Sequence, residues 1–266
     1  MKITVRIDGK DVSVEKGSNL LLAARRAGAT IPTLCHHEAL KTHRACRLCL
    51  VEVRKEGKSR VLISCVYPLN NEGEEISTAS PAVLEERRKV VGSLLERCPG
   101  SEPVRAIART MGLDLPAVAA TQAAKPTAAA PTPVDCILCG LCVRACNERI
   151  GAGALAFAEK GSAASALSPF TVNAAACIGC GACAAVCPTG VNRLVESPDG
   201  SRSLPFFGIT VRLRSCATCG AQIPSEEQTR GIKAKAASIE EALALCPGCR
   251  RKGYGAKQAR WATAAS

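Results

Sequence analysis

The chain has 266 residues, a formal net charge of +12 and 17 cysteines, but only four phenylalanines, two tyrosines and one tryptophan. This length favours two or three modest domains over one large core. MKITVRIDGKDV at the N-terminus lacks the apolar run of a secretory signal, so we expect a reducing cytoplasm, where clustered cysteines bind metals rather than form disulfides. The uncharged interval between Lys160 and Arg193 contains serines, glycines and a cysteine motif, which excludes a membrane span and predicts a soluble chain.

The positive charge suggests nucleic acid or an acidic partner until bound metals are considered. A fully occupied site of four thiolates, with zinc or with an oxidised iron-sulfur cluster, carries a formal charge of about −2. Four such sites would reduce the net charge to about +4, which is ordinary for a protein of this size.

Residues 1–79 are predicted to form a first domain of mixed strands and helix. The alternation in ITVRIDGKDVSV around the Asp8-Gly9 turn predicts a β-hairpin. SNLLLAARRAG then predicts a helix with Ser18 as its N-cap and Gly28 beyond its end. Two β-rich runs within ACRLCLVEVRKEGKSRVLISC complete a small mixed sheet.

Four cysteines of this domain have the spacing C-x10-C-x2-C-x15-C. Two close thiolates and two distant ones suit a 2Fe-2S cluster, in which each iron needs two outer ligands, although the spacing departs from the plant-type run. A zinc site is the alternative. The predicted ligands are Cys35, Cys46, Cys49 and Cys65.

Residues 80–115 are predicted to be helical. Ser80 and Pro81 occupy the N-cap and first-turn positions of a helix, and a shorter helix is expected over residues 102–111. The first helix is expected to bury Leu84, Val91 and Leu95. PAVAATQAAKPTAAAPTP, residues 116–133, is low-complexity Ala, Pro and Thr, which predicts a linker.

Residues 134–197 contain two runs of the form C-x2-C-x2-C-x3-C, and Pro188 directly follows the second run. In two-cluster ferredoxins the fourth cysteine of each run binds the other cluster. One predicted 4Fe-4S site therefore comprises Cys136, Cys139, Cys142 and Cys187, and the other comprises Cys177, Cys180, Cys183 and Cys146. Small residues should let backbone amides approach the cluster sulfides, at Gly140, Gly179, Gly181 and Ala182. Zinc or free thiols are the alternative.

IPTLCHH (31–37), ACRLCLVEV (45–53) and CVRACNERIGAGALAFAEKG (142–161) resemble one iron-sulfur assembly. It is the N-terminal portion shared by the large peripheral subunit of complex I, iron-only hydrogenases and the small diaphorase subunit of bidirectional hydrogenases. The resemblance covers roughly residues 1–195. It implies an α+β chain with a β-grasp 2Fe-2S ferredoxin domain, a short helical segment and a bacterial-type domain with two 4Fe-4S clusters.

The helical segment departs from that family. Its members usually place one histidine and three cysteines there for a further 4Fe-4S cluster, whereas LLERCPGSEPVRAIARTMG offers Cys98 alone. His36, His37 and His43 lie too early in the chain to match. We therefore expect that cluster to be absent and Cys98 to be a structural thiol near a helix end.

A last unit is predicted over residues 204–255. It contains two CxxC pairs, which resemble the knuckles of a zinc ribbon, and Ser238 and Glu241 have capping-box spacing before a short helix. A further iron-sulfur cluster is the main alternative to zinc, and thiol exchange is a third. The predicted ligands are Cys216, Cys219, Cys246 and Cys249.

The sequence offers no site for an organic substrate. It contains no Walker loop, and GAGALAF (151–157) lacks the strand, helix and acidic residue of a dinucleotide fingerprint. The motifs therefore predict a non-catalytic electron-transfer subunit. The resemblance implies a hetero-oligomeric complex with flavoprotein subunits that oxidise NAD(H) and with a catalytic redox subunit of hydrogenase or formate dehydrogenase type.

Two other functions remain open. A stand-alone ferredoxin-like carrier would use the same clusters without fixed partners. A zinc-dependent nucleic-acid-binding protein would fit the charge and the CxxC pairs, but aromatic residues for stacking are scarce and the basic residues are dispersed.

Overall fold

The computed structural model describes residues 1–115, 135–159, 169–226, 229 and 240–264. The predicted linker over 116–133 and Ser238 of the predicted capping box fall outside these ranges. Within them, no helix combines the length and the apolar character that crossing a membrane requires.

Seven strands and one helix make up the first part of the chain. The helix α1 (Leu20–Arg26) follows three strands, and five strands form a mixed sheet in the order β2-β1-β7-β4-β5, in which only β1 and β7 are parallel. The strands are β1 (Lys2–Ile7), β2 (Lys10–Glu15), β3 (Ser18–Asn19), β4 (Leu50–Lys55), β5 (Lys58–Ile63), β6 (Pro68–Leu69) and β7 (Glu75–Ser77).

The predicted hairpin is confirmed. β1 pairs with β2 up to Ile7 opposite Lys10, and Asp8 and Gly9 both have positive φ, as a two-residue turn of type I′ requires. The predicted N-cap Ser18 is wrong: Ser18 pairs with Leu69 in a two-stranded ladder, and the side chain of Asn19 accepts the Leu22 amide at 3.2 Å. Ser18 is thus committed to strand pairing, and the next polar residue caps the helix.

Two helices cross between the sheet and the later cysteine motifs. α2 (Pro81–Arg97) has Ser80 as its N-cap, as predicted, and α3 (Glu102–Thr110) follows. The buried face of α2 differs from the prediction at one position, because Val83 is buried and Leu84 is only half-buried. The face comprises Val83, Arg87, Val91 and Leu95.

The core between these helices joins the two halves of the molecule. It combines Cys35 and Cys46 of the first domain with Val91 and Cys98 of α2 and with Cys139 of the first tandem motif. The cysteine loops of the two domains are therefore packed against the same helices.

The tandem motifs form a compact unit with little regular structure. α4 (Leu141–Arg144) continues into a π-helical turn over Ala145–Ile150, and α5 (Ala182–Ala185) carries the second motif. The strands are β8 (Leu155–Phe157) and β9 (Phe170–Val172), which pair, and β10 (Val195–Glu196), β11 (Ser201–Leu204) and β12 (Ile209–Arg212), which form a three-stranded sheet.

The small sheet belongs to the same core as the tandem cysteines. Leu204, Ile209 and Val211 are buried in one cluster with Cys146 and Cys177. The predicted start of the last unit at residue 204 therefore falls inside the β11–β12 hairpin, because cysteine spacing carries no information about which hydrophobic strands cover a motif.

All four phenylalanines of the chain line up with a histidine of the first domain. The His43 ring stacks on Phe157 at 5.8 Å between centroids, and Phe157 stacks on Phe170 at 5.6 Å. Phe170 meets Phe206 and Phe207 edge to face. This series runs from the first cysteine loop across to the small sheet.

The last described elements form a separate knuckle unit. β13 (Arg214–Ser215) and β14 (Gln222–Ile223) pair in an antiparallel hairpin, followed by α6 (Glu240–Leu243) and α7 (Pro247–Ala264). The Arg214 side chain donates to the carbonyls of Pro224, at 3.2 Å, and Leu243, at 3.1 Å, so it ties the hairpin to the second helical part.

Candidate metal centres

The four cysteines of the first domain come together as two pairs of thiols. The Cys35 thiol donates to the Cys46 sulfur, which raises the pKa of Cys35 and lowers the pKa of Cys46 to about 6. The Cys65 thiol likewise donates to Cys49, which raises the pKa of Cys65 and lowers that of Cys49 to about 7. Each pair thus combines one member of the CxxC motif with one distant cysteine.

The backbone around Cys46 is shaped to hold these sulfurs. Arg44 and Arg47 on either side of it have φ of 61° and 53°, a left-handed conformation that costs a non-glycine residue roughly 1–2 kcal/mol. The Cys46 amide donates to Cys35 Sγ at 3.4 Å. All four thiols are buried, so the loop excludes water from the centre.

A buried arginine supports this loop from α2. Arg87 is 4% exposed and donates to the carbonyls of Leu48, Leu50 and Thr78, at 2.6 to 3.1 Å. Burial lowers its pKa, and the nearby Cys49 acts in the opposite direction. Sequence reasoning missed this residue, although the spacing of Val83, Arg87 and Val91 places it on the apolar face.

A second buried arginine lies between the two domains. Arg144, in α4, is 8% exposed and donates from one nitrogen, Nη2, to the Cys35 carbonyl at 2.9 Å and to the Cys139 carbonyl at 3.4 Å. Its Nη1 donates to the Lys41 carbonyl. One side chain therefore joins predicted ligands of two different centres, and sequence reasoning missed it as well.

The first predicted 4Fe-4S set gathers around the interior end of the tandem unit. Burial raises the pKa of Cys136 to about 11 and raises that of Cys139, and the proximity of Cys187 contributes in the same direction to both. Cys187 therefore lies beside the cysteines of the other run, as the crossed arrangement requires.

The second predicted set lines one apolar cavity. The lining includes all four predicted ligands, with Cys146 from the first run, together with Leu204 and Ile209 of the small sheet: Cys146, Cys177, Cys180 and Cys183. Burial is the main cause of the raised pKa of Cys177 and of Cys183, and Cys146 adds to both. Cys180 is exposed, so this centre lies near the surface.

Glycines at the predicted positions bring the backbone close to these centres. Gly140 and Gly181 have φ of 68° and 75° at the starts of α4 and α5, and Gly179 has φ of 66°. A Cβ at Gly181 would lie 2.8 Å from the Leu194 side chain. Larger residues at these positions would be strained and would push the chain away from the cysteines.

Asn192 is a buried polar residue beside the second set. It is 2% exposed and lowers the pKa of Cys183, against the larger effect of burial. Neither atom of its amide has a hydrogen-bond partner among the described residues. A buried amide without a partner costs roughly 1–3 kcal/mol, so a sulfur acceptor at this centre would satisfy it.

The C-terminal cysteines form a tighter group than the others. The four sulfurs of Cys216, Cys219, Cys246 and Cys249 all lie within 4.8 Å of one another. Cys219 and Cys246 are 3.6 Å apart at sulfur. In the described part of the chain, no other set of three or more Cys, His, Asp or Glu ligand atoms is this compact.

Backbone amides stabilise thiolates in this group. The Cys246 amide donates to Cys216 Sγ at 3.2 Å, which is the main cause of a Cys216 pKa of about 6. The Cys249 amide donates to Cys246 Sγ at 3.4 Å and lowers the Cys246 pKa. Cys216 and Cys219 lie in the loop of the β13–β14 hairpin, and the other two lie at the start of α7.

Cys98 lies outside all four sets. It follows the last residue of α2 and is fully buried, as expected of a structural thiol near a helix end. Burial raises its pKa to about 12, with a contribution from Cys136.

Comparisons with known proteins give two domain families. Residues 1–81 match the model of the 2Fe-2S iron-sulfur cluster binding domain, and residues 135–191 match that of the 4Fe-4S dicluster domain. The rest of the chain, including the C-terminal cysteines, lies outside both matches.

Curated relatives include subunits of several oxidoreductases. The NADPH-Fe(3+) oxidoreductase subunit alpha of Geobacter sulfurreducens is 29% identical over 86% of this chain and 28% of its own length. A subunit of the NADH-quinone oxidoreductase of Rhizobium meliloti is 33% identical over 77% and 25%, respectively. The NADP-reducing hydrogenase subunit HndD of Solidesulfovibrio fructosivorans is 34% identical over 73% and 36%.

Among solved structures, an NAD+-reducing [NiFe]-hydrogenase in the H2-reduced state is 29% identical, with a TM-score of 0.47. The match covers 65% of this chain and 80% of that one. The chain spans only about a quarter to a third of the length of the curated relatives above. The resemblance predicted from the cysteine motifs is confirmed: the chain carries a 2Fe-2S iron-sulfur cluster binding domain followed by a 4Fe-4S dicluster domain, shared with subunits of NAD(P)H-linked oxidoreductases and hydrogenases.

Proposed function

We propose that this chain is the electron-transfer subunit of a multi-subunit oxidoreductase, relaying electrons through one 2Fe-2S and two 4Fe-4S clusters. The observation that carries the proposal is the shared core of Cys35, Cys46 and Cys139, in which one nitrogen of Arg144 donates to carbonyls on both sides. Ligands of the first two centres are thus joined through a single hydrogen-bonding atom. The clusters, when bound, supply reversible one-electron chemistry.

The paired arrangement of the N-terminal thiols supports a 2Fe-2S cluster over zinc. A tetrahedral zinc ion with Zn–S bonds of roughly 2.3 Å places its four sulfurs about 3.8 Å apart. Within the described residues, Cys35, Cys46, Cys49 and Cys65 do not make such a compact group, but they do make two close pairs. Two thiolates for each of two irons is the arrangement this predicts. The five-stranded mixed sheet with α1 fits the β-grasp fold that the resemblance implied.

Crossed ligation of the tandem motifs is supported from both directions. Cys187 influences Cys136 and Cys139, and Cys146 lines the cavity of the other run and influences Cys177 and Cys183. The unpartnered amide of Asn192 beside that cavity suits a sulfur acceptor. The chemistry of these donor sets therefore fits two 4Fe-4S clusters.

The C-terminal group fits a single tetrahedral ion, and we assign it to zinc. Its sulfurs all lie within 4.8 Å of one another, close to the spacing of about 3.8 Å around one ion. Four thiolates with N–H···S bonds hold zinc without redox chemistry. Such an ion would connect the hairpin of Cys216 and Cys219 to α7, so the last unit would be a structural one.

The division of the chain follows from these centres. We assign residues 1–79 to the 2Fe-2S domain, 80–115 to the helical segment, 116–133 to a linker and the region from 134 to the 4Fe-4S domain. The packing of β11 and β12 supports extending that domain beyond residue 197 to about Arg212. The zinc unit then begins near Arg214 instead of at residue 204.

The partners remain those implied by the resemblance: flavoprotein subunits that oxidise NAD(H), and a catalytic redox subunit, in a cytoplasmic complex. Names of the relatives support this choice, since they include NADH-quinone, NADPH-Fe(3+) and NADP-reducing hydrogenase subunits. The exposed Cys180 places the second 4Fe-4S centre where a partner could approach it. The buried ligands around Cys35 and Cys139 would lie inside the relay.

The test is an anaerobic purification of the full chain from its own host through an affinity tag. We expect a flavin-containing NAD(H)-oxidising subunit to co-purify, and NAD(P)H to reduce paramagnetic clusters in the complex. Purification of the chain alone, with clusters that no partner is needed to reduce, would favour a stand-alone ferredoxin. Tight DNA binding that weakens steeply with salt would favour the nucleic-acid alternative.

A further inference from the structure

Arg144 is a buried cation without an acidic partner. Its guanidinium makes all its hydrogen bonds to backbone carbonyls, those of Cys35, Lys41 and Cys139. Across the described ranges, no carboxylate lies within ion-pair distance of it, and its Nε has no hydrogen-bond partner. Glu148, four residues further on, accepts the Lys41 amide at 2.9 Å instead.

Such an arrangement is expensive unless negative charge lies nearby. An isolated charge removed from water loses several kcal/mol of solvation, which hydrogen bonds to neutral carbonyls only partly replace. The missing negative charge is available on both sides, because Cys35 and Cys139 are ligands of two different proposed clusters. Each oxidised cluster with four thiolates carries a formal charge of about −2.

We infer that Arg144 is the shared counter-charge of the 2Fe-2S centre and the first 4Fe-4S centre, and that it raises the reduction potential of both. Adding an electron makes a cluster more negative, so a fixed cation beside it favours the reduced state. Burial keeps water and salt from screening this effect. The inference rests on the proposed function, since it requires both clusters to be present.

The electrostatic effect of Arg144 extends beyond its hydrogen bonds. Burial lowers the pKa of His43, and the Arg144 charge is the next contribution in the same direction. His43 belongs to the loop of the first centre and stacks on Phe157 of the tandem unit. The charge therefore acts on the interface between the two domains, while Cys177 and Cys183 show no such influence among their causes.

The test compares midpoint potentials from redox titrations of the full chain followed by paramagnetic resonance. Arg144→Gln removes the charge and keeps a donor, Arg144→Lys keeps the charge, and Arg149→Gln is the matched control. Arg149 also donates to a carbonyl of the first cysteine loop, that of Ala39, but it is solvent-exposed. We expect Arg144→Gln to lower the potentials of the 2Fe-2S signal and of one 4Fe-4S signal, and the other two variants to change them less.

Iron and sulfide contents are measured in parallel. Full clusters with unchanged potentials in Arg144→Gln would overturn the inference and leave the proposed function intact, whereas a wild-type chain without clusters would overturn the proposed function itself. If Arg144→Gln does not assemble clusters, Arg144→Lys decides: assembly with near-normal potentials supports a role for charge, and failure of both variants shows that only the hydrogen bonds of the guanidinium matter.

Discussion

At the scale of single residues, Cys187 and Cys146 distinguish crossed from uncrossed ligation. Replacing Cys187 with serine should damage the cluster of Cys136, Cys139 and Cys142, because Cys187 lies beside the first two of them. Paramagnetic resonance of the reduced protein should show one 4Fe-4S signal lost or altered and the other unchanged.

Two further variants complete that experiment. Cys146→Ser should affect the other 4Fe-4S signal, and Cys98→Ala, the cysteine outside all four sets, should leave every signal in place. Loss of the Cys177 cluster alone in Cys187→Ser would refute the crossed assignment.

The residues that sequence reasoning missed share one physical feature. The cysteine spacings identified the candidate ligands because metal geometry restricts which spacings can work. Arg87 and Arg144 gave no comparable signal, since a buried arginine makes sense only once the carbonyls and thiolates around it are known. Asn192 was missed for the same reason.

At the scale of secondary-structure elements, Asn19 links α1 to the first metal centre. Its side-chain oxygen accepts the Leu22 amide, and its nitrogen donates to the Cys65 carbonyl at 2.7 Å. Asn19→Ala should cost about 1 kcal/mol for the cap and roughly 0.5–1.5 kcal/mol for the second hydrogen bond. Urea titration followed by the visible signal of the 2Fe-2S centre measures the loss.

Asn19→Asp separates the two contributions. An aspartate keeps the oxygen that caps the helix but loses the donor to Cys65, so it should be less destabilising than alanine. An unchanged urea midpoint in Asn19→Ala would show that this residue supports neither the helix nor the loop.

The C-terminal ion should behave as a structural clip between the β13–β14 hairpin and α7. Cys249→Ser should remove zinc, because a three-thiolate site binds it more weakly, while the paramagnetic signals of the three clusters persist. Elemental analysis and spectra of the same sample provide the check. Disappearance of an iron signal together with the metal would identify this site as a fourth cluster.

Local patterns predicted several elements well. The β1–β2 hairpin and the start of α2 at Ser80 follow from turn and capping chemistry that involves neighbouring residues only. The N-cap of α1 and the buried face of α2 could not be predicted as well, because Ser18 pairs with a strand that comes fifty residues later and Val83 packs against distant parts. The assignment of β11 and β12 to the 4Fe-4S core depended on tertiary packing in the same way.

At the scale of the whole molecule, the pieces form a chain of centres. The helices α2 and α3 do not separate the 2Fe-2S loop from the tandem motifs; they pack against both, and Cys35 and Cys139 share their core. The aromatic series from His43 to Phe207 crosses the same boundary. The positive charge of the polypeptide is then understandable as the complement of its anionic clusters.

The most direct test of this account is iron, acid-labile sulfide and zinc analysis of the full chain prepared without oxygen. The account predicts about ten iron and about ten sulfide per chain, with one zinc. Iron near fourteen without zinc would move the C-terminal site from zinc to a further cluster. A colourless preparation with no acid-labile sulfide would contradict the central claim.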